Sequence, residues 1–115
     1  MIQFENDMGT RSEQRLLAVL IRDPACFQYV KDVRPQDFAH GLHGELFRAI
    51  AAVIEAGEHA SVPHVLAALH LRYRRIPDGW ASYLALLSYI DGTPANADVY
   101  AGLMRTHQIH QRELA

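Results

Sequence analysis

The sequence predicts an all-α fold, a compact bundle of about six short helices with a protruding C-terminal helix, and three observations carry that prediction. Apolar residues recur at three- and four-residue spacing in one segment after another. Strict apolar/polar alternation between turn residues, the mark of a strand, occurs nowhere. Proline or glycine separates the periodic segments, leaving connections of roughly two to eight residues, as in a globular bundle rather than a long coiled coil.

Taken in order, residues 1–9 show little periodicity and are expected to form a flexible arm. Thr10, with Glu13 three residues on, reads as a capping box, so the first helix should start there. Leu16, Leu17, Leu20 and Ile21 then share one helical stripe, and Asp23-Pro24 stops it because proline pushes its predecessor out of the helical region. The same pair can cap a short second helix carrying Phe27 and Val30, with Pro35 after it. Leu42, Leu46, Phe47, Ile50, Val53 and Ile54 follow the 3.6-residue period, and Gly57 supplies a left-handed stop. Ser61 with Pro63 opens a fourth helix whose face is Val62, Val65, Leu66 and Leu69, ended by Pro77-Asp78-Gly79. Trp80, Tyr83, Leu84, Leu87 and Ile90 form a fifth stripe closed by Gly92, and Thr93-Pro94 leads into a last helix with Val99, Tyr100, Leu103, Met104, His107 and Leu114. Residues 10–92 are thus expected to be a globular head and 93–115 the C-terminal helix.

Composition narrows the function classes. The 115 residues are 50% hydrophobic and 21% charged, enough for one real core without staples. The single Cys26 excludes a disulfide framework and multi-cysteine zinc patterns, and a reducing, cytoplasmic setting is the default. The longest apolar runs are six residues, far below the roughly 18 needed to cross a bilayer, so no membrane partner is expected. A net charge of −2 disfavours autonomous binding of a phosphate backbone.

No constellation of residues points to catalysis. His40/His43 and His107/His110 are each three apart, but neither pair has the further donors that a zinc site requires. Capping, solvation and dipole pairing account for the histidines, and no metal is expected. Cys26 beside Phe27 reads as a small core residue, and Ser12, Ser61, Ser82 and Ser88 lie outside any nucleophile elbow. There is no phosphate-binding glycine loop, so the chain itself is expected to hold no cofactor and to be no enzyme. Arg72-Tyr73-Arg74-Arg75 is the one basic cluster, in which an aromatic ring could stack on a base while Arg72, Arg74 and Arg75 hold phosphates; a solvated helix end is the plainer reading. The last helix is expected to keep an apolar stripe to the end of the sequence with no later segment to cover it, which points to a partner chain, a second copy or a downstream segment, with a frayed, half-exposed helix as the plainer alternative.

From Glu13 to Leu114 the sequence resembles the N-terminal domain of DnaB-type replicative DNA helicases. Glu13-Gln14 with Leu17 and Leu20, the Asp23-Pro24 stop, and Asp37-Phe38 match the family's opening landmarks. His43-x-x-Leu46-Phe47-x-Ala49-Ile50 is similar to its His-x-x-Ile-Phe-x-Ala-Ile pattern, with Gly57 where that helix ends. Gly79-x-x-x-Tyr83-Leu84-x-x-Leu87, Thr93-Pro94 and Asn96-x-x-x-Tyr100-Ala101 continue the order, and Arg105 and Arg112 fall at basic positions of the last helix. Trp80 stands where the family has a second glycine, Pro63 replaces an acidic residue, and Ala18 stands where glycine is common.

The resemblance implies a function. The last helix would be the first arm of a helical hairpin, truncated here, with a linker and a RecA-like ATPase domain absent from this chain. Such domains pair through their hairpins, build a trimer of dimers as a collar above the hexameric ring, and dock DnaG-type primase. ATP and Mg would bind the missing motor domain, and DNA would pass through the full-length ring. Self-association is expected at Leu103, Met104 and His107, where apolar packing would supply affinity. The resemblance points to Tyr83 and Leu114 for primase docking, although Tyr83 fits equally a core ring whose hydroxyl finds a buried partner. Two other readings compete with this one: a helicase-binding domain of a primase, and a helical module touching single-stranded DNA through the arginine cluster.

Overall fold

A computed structural model of the chain describes residues 4, 6–73 and 79–114. All regular elements among them are helical: α1 Met8–Arg22, α2 Gly41–Glu55, α3 Val62–Arg72, α4 Trp80–Leu87 and α5 Ala97–Leu114, with 3-10 segments at Pro24–Val30, Pro35–Asp37 and Pro94–Asn96.

α1 is the central helix. Leu16, Leu17, Ala18, Val19 and Leu20 are all 0% exposed, so this stretch is covered on every side and not along one stripe alone. α5 packs along it most extensively, with α2 and α4 on its other flanks and α3 bridging α2 to α4. Each fully buried leucine contributes about 2 kcal/mol by leaving water. Two glycines let backbones meet closely. A Cβ on Gly44 would stand 2.6 Å from the Pro35 carbonyl oxygen, and one on Gly9 would run into the His107 ring of α5.

Several boundaries differ from expectation. α1 begins at Met8 with Asp7 as its cap, the Asp7 carboxylate accepting the Thr10 N–H at 2.7 Å, so Thr10 lies inside the helix and Glu13 does no capping. Asp7 is the better cap because it offers a charged acceptor to the exposed amides, which hold its carboxyl below the usual range. Residues 8 and 9 are therefore helical, and Phe4 packs on three rings of the body, so the supposed flexible arm is in part built into the fold. The second helix is 3-10, and α4 stops at Leu87, leaving Ile90 in the turn that follows.

Polar side chains close the exposed ends. The Arg22 guanidinium donates to the Ile90 carbonyl and, at 3.0 Å, to that of Gly92, satisfying acceptors beyond α4. Gly57 and Gly79 hold φ of 76° and 94°, the left-handed conformations that end α2 and start α4. Arg105 of α5 pairs with Asp37 at 3.0 Å and Asp32 at 3.2 Å, tying α5 to the 3-10 segments. Among the described residues no helix is long and apolar enough to cross a membrane.

Candidate functional site

Two features stand out: a hydrogen-bonded chain inside the body and an open face on α5. The chain begins at Glu13 on α1, 1% exposed. Its Oε2 accepts the Ala39 N–H at 2.8 Å, and its Oε1 accepts the His43 Nδ1–H at 2.8 Å. His43, on the first turn of α2, is 0% exposed, and its Nε2 accepts the Tyr83 hydroxyl from α4 at 2.6 Å. That hydroxyl oxygen in turn accepts an N–H of Gln14 at 3.0 Å, so three helices share one polar line. Nearby, His40 Nε2 lies 2.8 Å from the Thr10 hydroxyl. Among the described residues every buried side-chain nitrogen and oxygen has a partner.

His43 carries a hydrogen on Nδ1, because a carboxylate only accepts, and as a neutral ring it offers Nε2 to the Tyr83 O–H. Burial, working against Glu13, holds its pKa below the ordinary 6.5. Burial likewise pushes the Tyr83 hydroxyl up to about 12 and the Cys26 thiol up to about 11. Both Tyr83 and Cys26 therefore stay protonated and inert at neutral pH. His43 has both ring nitrogens engaged and no contact with solvent, so it is a core residue, not the capping or surface histidine that was expected. No three His, Cys, Asp or Glu side chains among the described residues are grouped to hold a metal ion.

α5 carries the other feature. Ala97, Ala101 and Met104 turn into the core at 0%, 3% and 1% exposure. The opposite side presents Val99, Gly102, Leu103, Thr106, Ile109 and His110, all exposed and none carrying a full charge with histidine neutral. These positions fall within about a third of the helix circumference at 100° per residue.

The candidate residues are thereby separated. Leu103 lies on the open face. Met104 is core and so turns away from any partner, a correction that follows from α5 docking on α1, while His107 is partly buried and packs over Gly9. Tyr83, 4% exposed and bonded to His43 and Gln14, is not a docking ring, because its hydroxyl is committed within the core. The side chain of Leu114 lies outside the described residues, as do Arg74 and Arg75. Arg72 is exposed; its Nε donates to Glu45 at 3.1 Å, a carboxylate that Arg48 also approaches at 3.9 Å, and its guanidinium stands 5.9 Å from the Tyr73 ring. Tyr73, the aromatic of that cluster, donates its hydroxyl to the same carboxylate.

These features define a small all-helical domain built round one central helix, with its polar cluster sealed and a long terminal helix open on one side. The family of DnaB-like helicase N-terminal domains matches residues 7–106, and the chain belongs to that family. It is 28% identical over 102 residues to the replicative DNA helicase DnaB of Geobacillus stearothermophilus, covering 88% of this chain but only 22% of that protein's length. The crystal structure of the N-terminal domain of DnaB helicase from Mycobacterium tuberculosis superposes with a TM-score of 0.77 at 30% identity, over 91% of this chain and 76% of that one.

Proposed function

We propose that this chain is the assembly and partner-docking domain of a replicative DNA helicase, that it associates with further copies through the open face of α5, and that it performs no chemistry itself. In the longer protein it would belong to a collar over a ring that unwinds duplex DNA, with ATP and Mg held by the motor domain, and it would recruit a DnaG-type primase. The observation that carries the reading is the uncharged face of Val99, Leu103 and Ile109. It runs from Val99 to Ile109, about 15 Å along the helix axis, while Ala97, Ala101 and Met104 on the opposite side are already buried in the body. Apolar surface of this kind gains roughly 25 cal/mol for each Å² withdrawn from water. Family membership supports the helicase side over a primase domain of related shape.

Light scattering over a dilution series tests the association. The chain should gain mass as concentration rises, and Leu103→Asp, which sets a carboxylate on the face, should hold it monomeric. An unchanged distribution of species in the variant would remove α5 as the interface. Primase docking is tested by titrating a labelled DnaG-type primase with the chain, and absence of binding at tens of micromolar would remove that role from this domain.

A further inference from the structure

The described part of the N-terminal segment ends on the buried chain. The Phe4 ring centroid lies 4.4 Å from that of His43, 4.7 Å from His40 and 5.3 Å from Tyr83. One phenyl ring from outside the helices thus roofs the point where α1, α2 and α4 each contribute a polar residue, and Phe4 is itself only partly buried. We propose that the Phe4 ring is a lid on the Glu13–His43–Tyr83 chain, and that proton uptake by His43 lifts it.

The hydrogen-bond inventory supplies the reason. With His43 neutral, donors and acceptors match from Ala39 N–H through to Gln14. A proton on Nε2 would face the Tyr83 hydroxyl with a donor where it needs an acceptor. The hydroxyl must then swing to Gln14, whose amide must turn over to offer oxygen in place of N–H. The cation would also sit where no water reaches it.

The charged and titratable groups around His43 do not cancel that cost. Glu13 on α1 favours the cation; His40, before α2, stands edge-on at 5.4 Å and disfavours it; Tyr83 on α4 opposes it through its O–H. From the N-terminal segment, Asp7 is engaged by the Thr10 amide and lies 3.9 Å from His107, and Glu5 lies outside the described residues. The attraction of the Phe4 face for an imidazolium opposes release, but it is smaller than the hydration that the cation regains when the roof is displaced. Burial already outweighs Glu13 in the closed form. By linkage, whatever keeps the proton off His43 while the lid is closed is relieved by opening it.

Proton NMR of the histidine ring carbons in the full chain reads the coupling. In Phe4→Ala the His43 titration midpoint should rise by about one pH unit, the scale on which burial moves such groups. Phe4→Leu, which keeps an apolar roof, should move it less. In the unsubstituted chain the nuclear Overhauser contacts between Phe4 and His43 should vanish over the pH range in which His43 charges. In His43→Gln those between Phe4 and Tyr83 should persist through it. An unmoved midpoint in Phe4→Ala, or contacts that survive full protonation of His43, would overturn the proposal. So would a Phe4 ring that still leaves Tyr83 with acid in His43→Gln.

Discussion

Replacing Glu13 with leucine removes the acceptor for the buried His43 Nδ1–H and for the Ala39 N–H of an exposed residue, each held at 2.8 Å. A buried donor left without a partner costs about 1–3 kcal/mol and a lost bond that water can replace about 1 kcal/mol, so the gross loss is about 2–4 kcal/mol. Relief from burying a carboxylate and the apolar contacts of the new side chain return about 1 kcal/mol. The net loss should be about 1–3 kcal/mol, out of a typical domain stability of about 5–15 kcal/mol. Urea denaturation followed by circular dichroism reads it directly: at an m-value of about 1.5 kcal/mol/M the midpoint should fall by roughly 0.7–2 M. His43→Leu on the same background should cost less than it does alone, by about 1–3 kcal/mol, because the two side chains form one unit. A Glu13→Leu midpoint equal to that of the parent, or two losses that simply add, would show that the carboxylate and imidazole do not support each other and would refute the reasoning.

Other expectations follow from the same contacts. Because burial holds His43 below its ordinary 6.5, the unfolded chain binds the extra proton first as pH falls. Stability contributed by neutral His43 is thus full above pH 6.5 and declines below it, and urea midpoints at pH 7.5 and 5.5 should show a drop that shrinks in His43→Gln. Gly44→Ala, which presses a methyl against the Pro35 carbonyl, should lose about 1–3 kcal/mol, whereas Gly102→Ala, with open space around it, should gain about 0.5–1 kcal/mol in dilute solution; thermal melts distinguish the two. Asp7→Ala removes the α1 cap and should cost about 1 kcal/mol in the same melts. Cys26, buried with its thiol pushed up to about 11, should resist a thiol reagent in the folded chain and react at once in denaturant.

The helical course was legible because burial and periodicity coincide. The stripes of α2 and α4 and the left-handed Gly57 emerge where spacing puts them, and the stop at Asp23-Pro24 falls one residue past α1. What misled was local chemistry that competes with tertiary structure. Thr10 and Glu13 satisfy the capping-box pattern, yet Asp7 takes the cap and frees Glu13 for a partner 30 residues away. The apolar residues of α5 form no single face: Met104 belongs to α1's surroundings while Leu103, one residue earlier, points outward, a 100° turn that a list of hydrophobic residues does not register. Contacts of Phe4 carry no periodic signal, since nothing in a short non-helical segment tells which surface it will cover.

The buried chain did carry a signal, though not one of composition. Glu13 precedes Leu16, Leu17 and Leu20 at the spacing i, i+3, i+4, i+7; His43 precedes Leu46, Phe47 and Ile50 in the same way; Trp80, Tyr83, Leu84 and Leu87 repeat it. A polar residue occupying an apolar slot of a helical stripe must enter the core, where it costs several kcal/mol unless another such residue meets it. Three helices each supplying one therefore implies that the three converge, which is what their hydrogen bonds show. The same residues, Glu13-Gln14, His43 and Tyr83, stand in the motifs that carry the family resemblance. Those motifs are accordingly the signature of how this domain folds, and the exposed Val99, Leu103 and Ile109 of α5 stand outside them.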